Sequence, residues 1–171
     1  MLEREIRYEI HSVEEHQLPE CLDAIHAAFD ESAKIYGYTK ETYPTSAAYL
    51  TLEELKEARE SGVHIYAAYV DGKVAGCVQL EKQGEGVYMF RRFAVLPEYQ
   101  KLGIGRALVS HCRERGVLYG GKILRLVMNA QNGRLRSFYQ GNGFSVVSTH
   151  KDGKYPFEYC IMELDLTRDS L

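Results

Sequence analysis

No apolar run long enough to cross a bilayer as a helix occurs in this chain of 171 residues. The opening stretch, MLEREIRYEI, is charged and lacks the apolar centre of a signal peptide. Cysteine is sparse. The four residues Cys21, Cys77, Cys112 and Cys160 form no CxxC pair and no Cys/His cluster at zinc spacing, so no metal is expected. Cys77 and Cys160 stand in apolar strand-like runs, as small buried thiols do, and a reduced, cytoplasmic setting is the expectation. A surplus of one charge is also missing: the formal net charge is -3, which leaves no footprint for nucleic acid or an anionic membrane. What basic residues cluster, Arg91, Arg92, Lys101 and Arg106, suit one small anion better than a polyanion. There is no internal repeat, low-complexity segment or Pro/Ser-rich linker, so residues 1–171 read as one domain.

What is present is the composition of an ordinary globular protein, with 45% hydrophobic and 26% charged residues. Alternation predicts a first strand over 5–13, and apolar positions from Pro19 to Tyr36 recur at helical spacing. A second helix is predicted over 51–62, opened by Thr51 with Glu54 three positions on and closed by Gly62. The period then changes. HIYAAYV (64–70) and KVAGCVQLE (73–81) flank an Asp71–Gly72 turn as a hairpin, and VYMFRRFAV (87–95) is a third strand after the turn GEG. Further on come a helix over 104–116, a strand over 122–130, a short helix over 133–143, and a strand pair at 144–149 and 157–164. The sum is a mixed α+β domain, with strands in the centre and helices on both faces.

The stretch YQKLGIGRAL (99–108) puts bare backbone where a helix begins. A helix N-terminus carries unsatisfied N–H groups and partial positive charge, so it favours phosphate. Gly103 and Gly105 would let an anion approach without meeting a Cβ, while Leu102 and Ile104 anchor the loop in the core. Lys101 and Arg106 add charge and Gln100 an amide. Leu108 stands where the dinucleotide fingerprint needs a small residue, and the GK[ST] of Walker A is missing. A glycine-relaxed turn that binds nothing is the competing reading.

QKLGIG, preceded by RRFAVLPEY, resembles the Gln/Arg-x-x-Gly-x-Gly/Ala motif of the GCN5-related N-acetyltransferase (GNAT) superfamily. In NAQNGRLRSFYQGNGF (129–144), Asn132, Tyr139 and Gly143–Phe144 match that family's second signature, and the resemblance covers about residues 5–165. It implies a GNAT-like fold: a central, mostly antiparallel mixed sheet whose middle strands splay apart. It implies acetyl-CoA as co-substrate and a primary amine, on a small molecule or protein, as acceptor, with direct attack in a ternary complex. The pyrophosphate would lie on the N–H groups of Lys101, Leu102, Gly103, Ile104, Gly105 and Arg106, with Gln100 shaping the loop. The pantetheine arm would pair with main-chain groups near Phe93, Ala94 and Val95, and Asn132 would bond the arm. Tyr139 would be the catalytic donor to the leaving thiolate.

The sequence departs from the family at Met89, where relatives often carry a glutamate base; Glu81 and Glu85 are the nearest carboxylates and read as solvated turn charges. The base is therefore unassigned, and a non-catalytic CoA-binding or sensing domain and a nucleotide-binding module remain as alternatives. For the acceptor, Tyr36, Tyr38, Tyr43 and Tyr49 in 31–50 and Tyr155 in 152–160 are candidate walls, and Glu31, Glu41, Glu53, Glu54 and Glu57 a candidate rim. His26, His64, His111 and His150 have no spaced partners and read as structural. A homodimer stays open.

Overall fold

Asp71 and Gly72 both take positive φ, 51° and 77°, the left-handed pair that a two-residue hairpin demands. They join β2 (His64–Val70) to β3 (Lys73–Gly84) in a computed structural model that describes residues 5–168. β4 (Val87–Val95) follows across a second tight turn, with Gly86 at φ 71°. The remaining strands are β1 (Glu9–Ser12), β5 (Ile123–Asn129), β6 (Ser145–His150) and β7 (Tyr159–Asp165). They form one sheet in the order β1-β2-β3-β4-β5-β7-β6. All neighbours are antiparallel except β4 and β5. That parallel ladder is short: Val87, Tyr88 and Met89 pair with Ile123, Leu124 and Arg125. Past Met89 the two strands part, leaving a gap between the end of β4 and the end of β5.

Helices cover both faces, as the apolar spacing predicts. α1 (Leu18–Tyr36) and α2 (Leu52–Glu60) bury Leu18, Cys21, Ile25 and Leu55 against Ile65, Ala67, Cys77 and Ala94. α3 (Ile104–Leu118) and α4 (Gly133–Gly141) bury Ile104, Leu108, Cys112 and Tyr139 on the other face against Val78, Leu80, Phe90, Leu126 and Met162. α2 opens with the expected reciprocal cap: Glu54 N–H donates to Thr51 Oγ1 (3.1 Å) and Thr51 N–H to Glu54 Oε1 (3.2 Å). All four cysteines are free and buried. Among the described residues no helix is long and apolar enough to cross a membrane.

Some boundaries differ from expectation. β1 starts at Glu9 rather than residue 5, because its partner β2 ends at Val70 and turns away, leaving residues 5–8 without a ladder. β3 continues to Gly84, since β4 pairs with it to the turn. β7 begins at Tyr159 rather than residue 157: Asp152 accepts bonds from Lys154 N–H (3.1 Å) and Tyr159 Oη (2.7 Å), which fold the preceding segment into a loop.

Candidate active site

The mouth of the β4/β5 gap is set by the segment that leaves β4. Pro97–Tyr99 makes one 3-10 turn, and Gln100 Nε2 donates back to the Val95 carbonyl (3.1 Å), tying the loop to the strand end. Lys101 and Gly103 then take left-handed φ of 62° and 85°. Two such residues in four turn the chain sharply into α3. Ala107 N–H is bonded to the Gly103 carbonyl (3.0 Å), so the N–H groups of residues 104–106 belong to the first turn and have no partner within the helix. Ile104 is fully buried and pins the helix start, a burial that stabilises by about 1.5–3 kcal/mol.

The two glycines have different jobs. A Cβ on Gly103 would meet open space, so this backbone is approachable from outside. A Cβ on Gly105 would instead lie 3.1 Å from Phe93 and 3.3 Å from Phe138. Close packing beneath the loop is therefore a second reason for glycine at 105, beside the one that the sequence suggests. Leu102 is not an anchor: it is 41% exposed, because the left-handed turns on either side break the two-residue alternation.

Tyr139 lies against the splayed half of β4. It is 5% exposed and ringed by Phe90 (5.9 Å between centroids), Phe93 (6.1 Å), Phe138 (5.5 Å) and Phe144 (5.6 Å). Burial pushes its phenol well above the ordinary value of 10, so it keeps its proton at neutral pH. Asn132 caps α4, its Oδ1 accepting from Leu135 N–H (3.1 Å). Sequence reasoning had not singled out Asn129, which ends β5 at the gap. Its Oδ1 accepts from Gln131 N–H (2.9 Å), leaving a buried Nδ2 with no partner among the described residues.

The profile of the acetyltransferase (GNAT) domain matches residues 61–146, half of the chain, spanning β2 through the start of β6 and so both sides of the gap. The chain belongs to the GNAT acetyltransferase family. Solved GNAT structures share its fold. The ribosomal-protein-S18-alanine N-acetyltransferase of Escherichia coli superposes with a TM-score of 0.75 at 20% identity, covering 96% of this chain and 97% of that one. The PaiA N-acetyltransferase of Thermoplasma acidophilum, solved with coenzyme A, gives 0.72 at 21% identity over 94% and 99%. YncA of Salmonella typhimurium, solved with acetyl-CoA, gives 0.71 at 13% identity over 96% and 97%. No curated protein matches the sequence.

On the opposite face of this GNAT sheet, two loops meet over the strands. From the α1–α2 connection, Tyr43 meets Tyr155 and Phe157 of the β6–β7 loop at 5.6 Å between centroids in each case, and Tyr38 meets Phe157 at 6.2 Å. Tyr159 joins through Tyr155 at 4.9 Å. Of the candidate walls, then, Tyr38, Tyr43 and Tyr155 come together, while Tyr36 and Tyr49 lie outside this cluster. Phe157 and Tyr159 were not singled out, although alternation along β7 puts Tyr159 on the face of Ile161 and Glu163, away from Met162 and Leu164 in the core. Below these rings, Glu81 stands directly across the β3–β4 ladder from Met89, and Arg91 Nη1 donates to Glu81 Oε2 (2.9 Å). Glu54 is engaged in its helix cap rather than a rim. His26 Nε2 bonds the Leu50 carbonyl (2.7 Å), a structural role.

Proposed function

We propose that this chain is an acetyl-CoA-dependent N-acetyltransferase acting on a primary amine of a small molecule or protein, by direct attack in a ternary complex. The observation that carries this reading is the gap between β4 and β5, with a helix-opening loop at its mouth and a buried, protonated Tyr139 at its side. The residues present fit the co-substrate, since the open space over Gly103 leaves that backbone accessible to a phosphate. When bound, acetyl-CoA supplies the acetyl group as a thioester.

The N–H groups of residues 101–106, with the Lys101 and Arg106 cations, hold the pyrophosphate. The free edge of β4 near Phe93, Ala94 and Val95 takes the pantetheine amides, and Asn132, its Oδ1 committed to the cap, offers Nδ2–H to the arm. As the amine nitrogen bonds to the carbonyl carbon and the C–S bond breaks, Tyr139 gives its phenolic proton to the sulfur. The amine's proton leaves to water, and Tyr139 is reprotonated from water. In this reading residues 1–171 act as one acyltransferase domain, in the cytoplasm, where four unbridged cysteines are at home.

Met89 favours a second reading, a CoA-binding domain without turnover, and free thiol released in the presence of amines would exclude it. The test is the thermal midpoint titrated with acetyl-CoA, CoA, NAD and ATP. Acetyl-CoA and CoA at 100 times Kd are expected to add about 2.7 kcal/mol, with NAD and ATP inert. No shift with either acetyl-CoA or CoA overturns the assignment.

A further inference from the structure

β4 and β5 carry three arginines, and two of them are neutralised. Arg91 bonds Glu81 at 2.9 Å, and Arg125 bonds Glu163 at 2.6 Å. Arg92 is different. Among the described residues no carboxylate lies within salt-bridge distance of it; the Glu54 and Glu81 charges act on it only at longer range, and Arg91 opposes them. It is half-buried, and its backbone is held at φ 50°, a conformation that non-glycine residues seldom keep without a constraint. The constraint is a β-bulge: Arg91 pairs with Gln79 and Ala94 with Cys77, so two β4 residues oppose one on β3.

Arg92 Nη1 donates to Gln79 Oε1 (3.2 Å). A guanidinium has no acceptor atom, so this bond fixes which way the Gln79 amide faces. Its Nε2 is left buried without a partner, in a residue only 3% exposed. A neutral amide thus positions a cation without quenching it, at the cost of an unmet donor. Arg92 lies near enough to Glu54 of α2 to feel its charge, and the adjoining Arg91 near enough to Tyr43 of the aromatic loops to act on its phenol. The acceptors nearby are already engaged, Glu54 by the α2 cap and Glu81 by Arg91, so what Arg92 still offers is a set of guanidinium donors. Such a set matches an oxyanion.

We propose that Arg92, positioned by Gln79, binds a carboxylate or phosphate on the acceptor, so that the substrate is an amine carrying an anionic group. The inference rests on the acyl-transfer reading above. Its test is acetyl-CoA-dependent thiol release with two matched pairs of probes, tyrosine against tyramine and phosphoethanolamine against ethanolamine. The anionic member of at least one pair is expected to have the higher kcat/KM, by roughly tenfold or more, the scale of one hydrogen bond to a charged group. Which pair shows it tells carboxylate from phosphate.

Arg92→Gln should erase that preference by lowering only the anionic member. Gln79→Glu, which keeps the arginine but supplies it with an internal carboxylate, should erase it too, and acetyl-CoA should still raise the melting point of both variants. Equal or better turnover of the neutral members overturns the proposal, as does turnover of no anionic amine by a protein that acetyl-CoA stabilises, or a preference that survives both substitutions. A wild-type protein that acetyl-CoA does not stabilise would instead fail the acyl-transfer reading itself.

Discussion

Tyr139 and Gly105 meet at the same aromatic cluster, yet a change at each would be read by a different instrument. Tyr139→Phe keeps the ring among Phe90, Phe93 and Phe144 and removes only the hydroxyl. It should lower kcat by roughly tenfold or more, toward the 10²–10⁴ range of general-acid catalysis, with CoA affinity preserved. An unchanged kcat in a chemistry-limited assay would remove the phenol from the mechanism. Gly105→Ala is a packing change: its Cβ would press on the tips of Phe93 and Phe138. Overpacking of this kind costs roughly 1–3 kcal/mol. Combining it with Phe138→Leu should recover part of that loss, and strictly additive effects in a denaturant-melt double-mutant cycle would refute the steric cause.

At the scale of elements, α4 rests on its cap. Asn132→Ala should cost about 1 kcal/mol in urea unfolding, and Asn132→Asp, which still offers an oxygen to Leu135 N–H, should not. An equal loss in both variants would mean that the cap contributes nothing. The elements that sequence showed best are those bounded by glycine turns. β2 and β4 fall on their predicted spans because Gly62 and Asp71–Gly72 bracket the apolar run of β2, and Glu85–Gly86 fixes where β4 begins, even though a bulge interrupts the alternation of β4. Leu102 was misplaced because alternation has no meaning between two left-handed residues. The packing of Gly105 against Phe93 and Phe138 was not legible, because a glycine looks the same whether it leaves room for a ligand outside or for a phenylalanine within. The meeting of Tyr38 and Tyr43 with Phe157 was beyond local patterning, for it joins the loop after α1 to the loop before β7. Arg92 was visible as a charge. That it alone of three arginines lacks a carboxylate could be learned only from the ladder.

For the whole molecule, acid should destabilise the fold through two histidines. His64 stacks on Tyr119 at 4.5 Å, and His111 meets Tyr66 edge-on at 4.5 Å. Burial first, then the Arg115 charge, lowers both below the ordinary value of 6.5. The folded state therefore holds them neutral. Their contribution is fully present above pH 6.5 and is lost as pH falls through the depressed folded values, where the unfolded chain binds more protons. Melting temperature should drop below pH 6.5 in the wild type, and His64→Phe with His111→Phe should flatten that slope; an unaltered slope would place the acid sensitivity elsewhere. The short β4–β5 ladder has a consequence at this scale as well. Past Met89 the spacing of the two halves of the sheet is set by side-chain volume, chiefly the rings of Phe90, Phe93, Phe138 and Tyr139, rather than by backbone pairing. A gap whose calibre is written in side chains can be rebored by single substitutions; under the acyl-transfer proposal, descendants of this protein would come to accept bulkier acyl groups without any strand changing its neighbours.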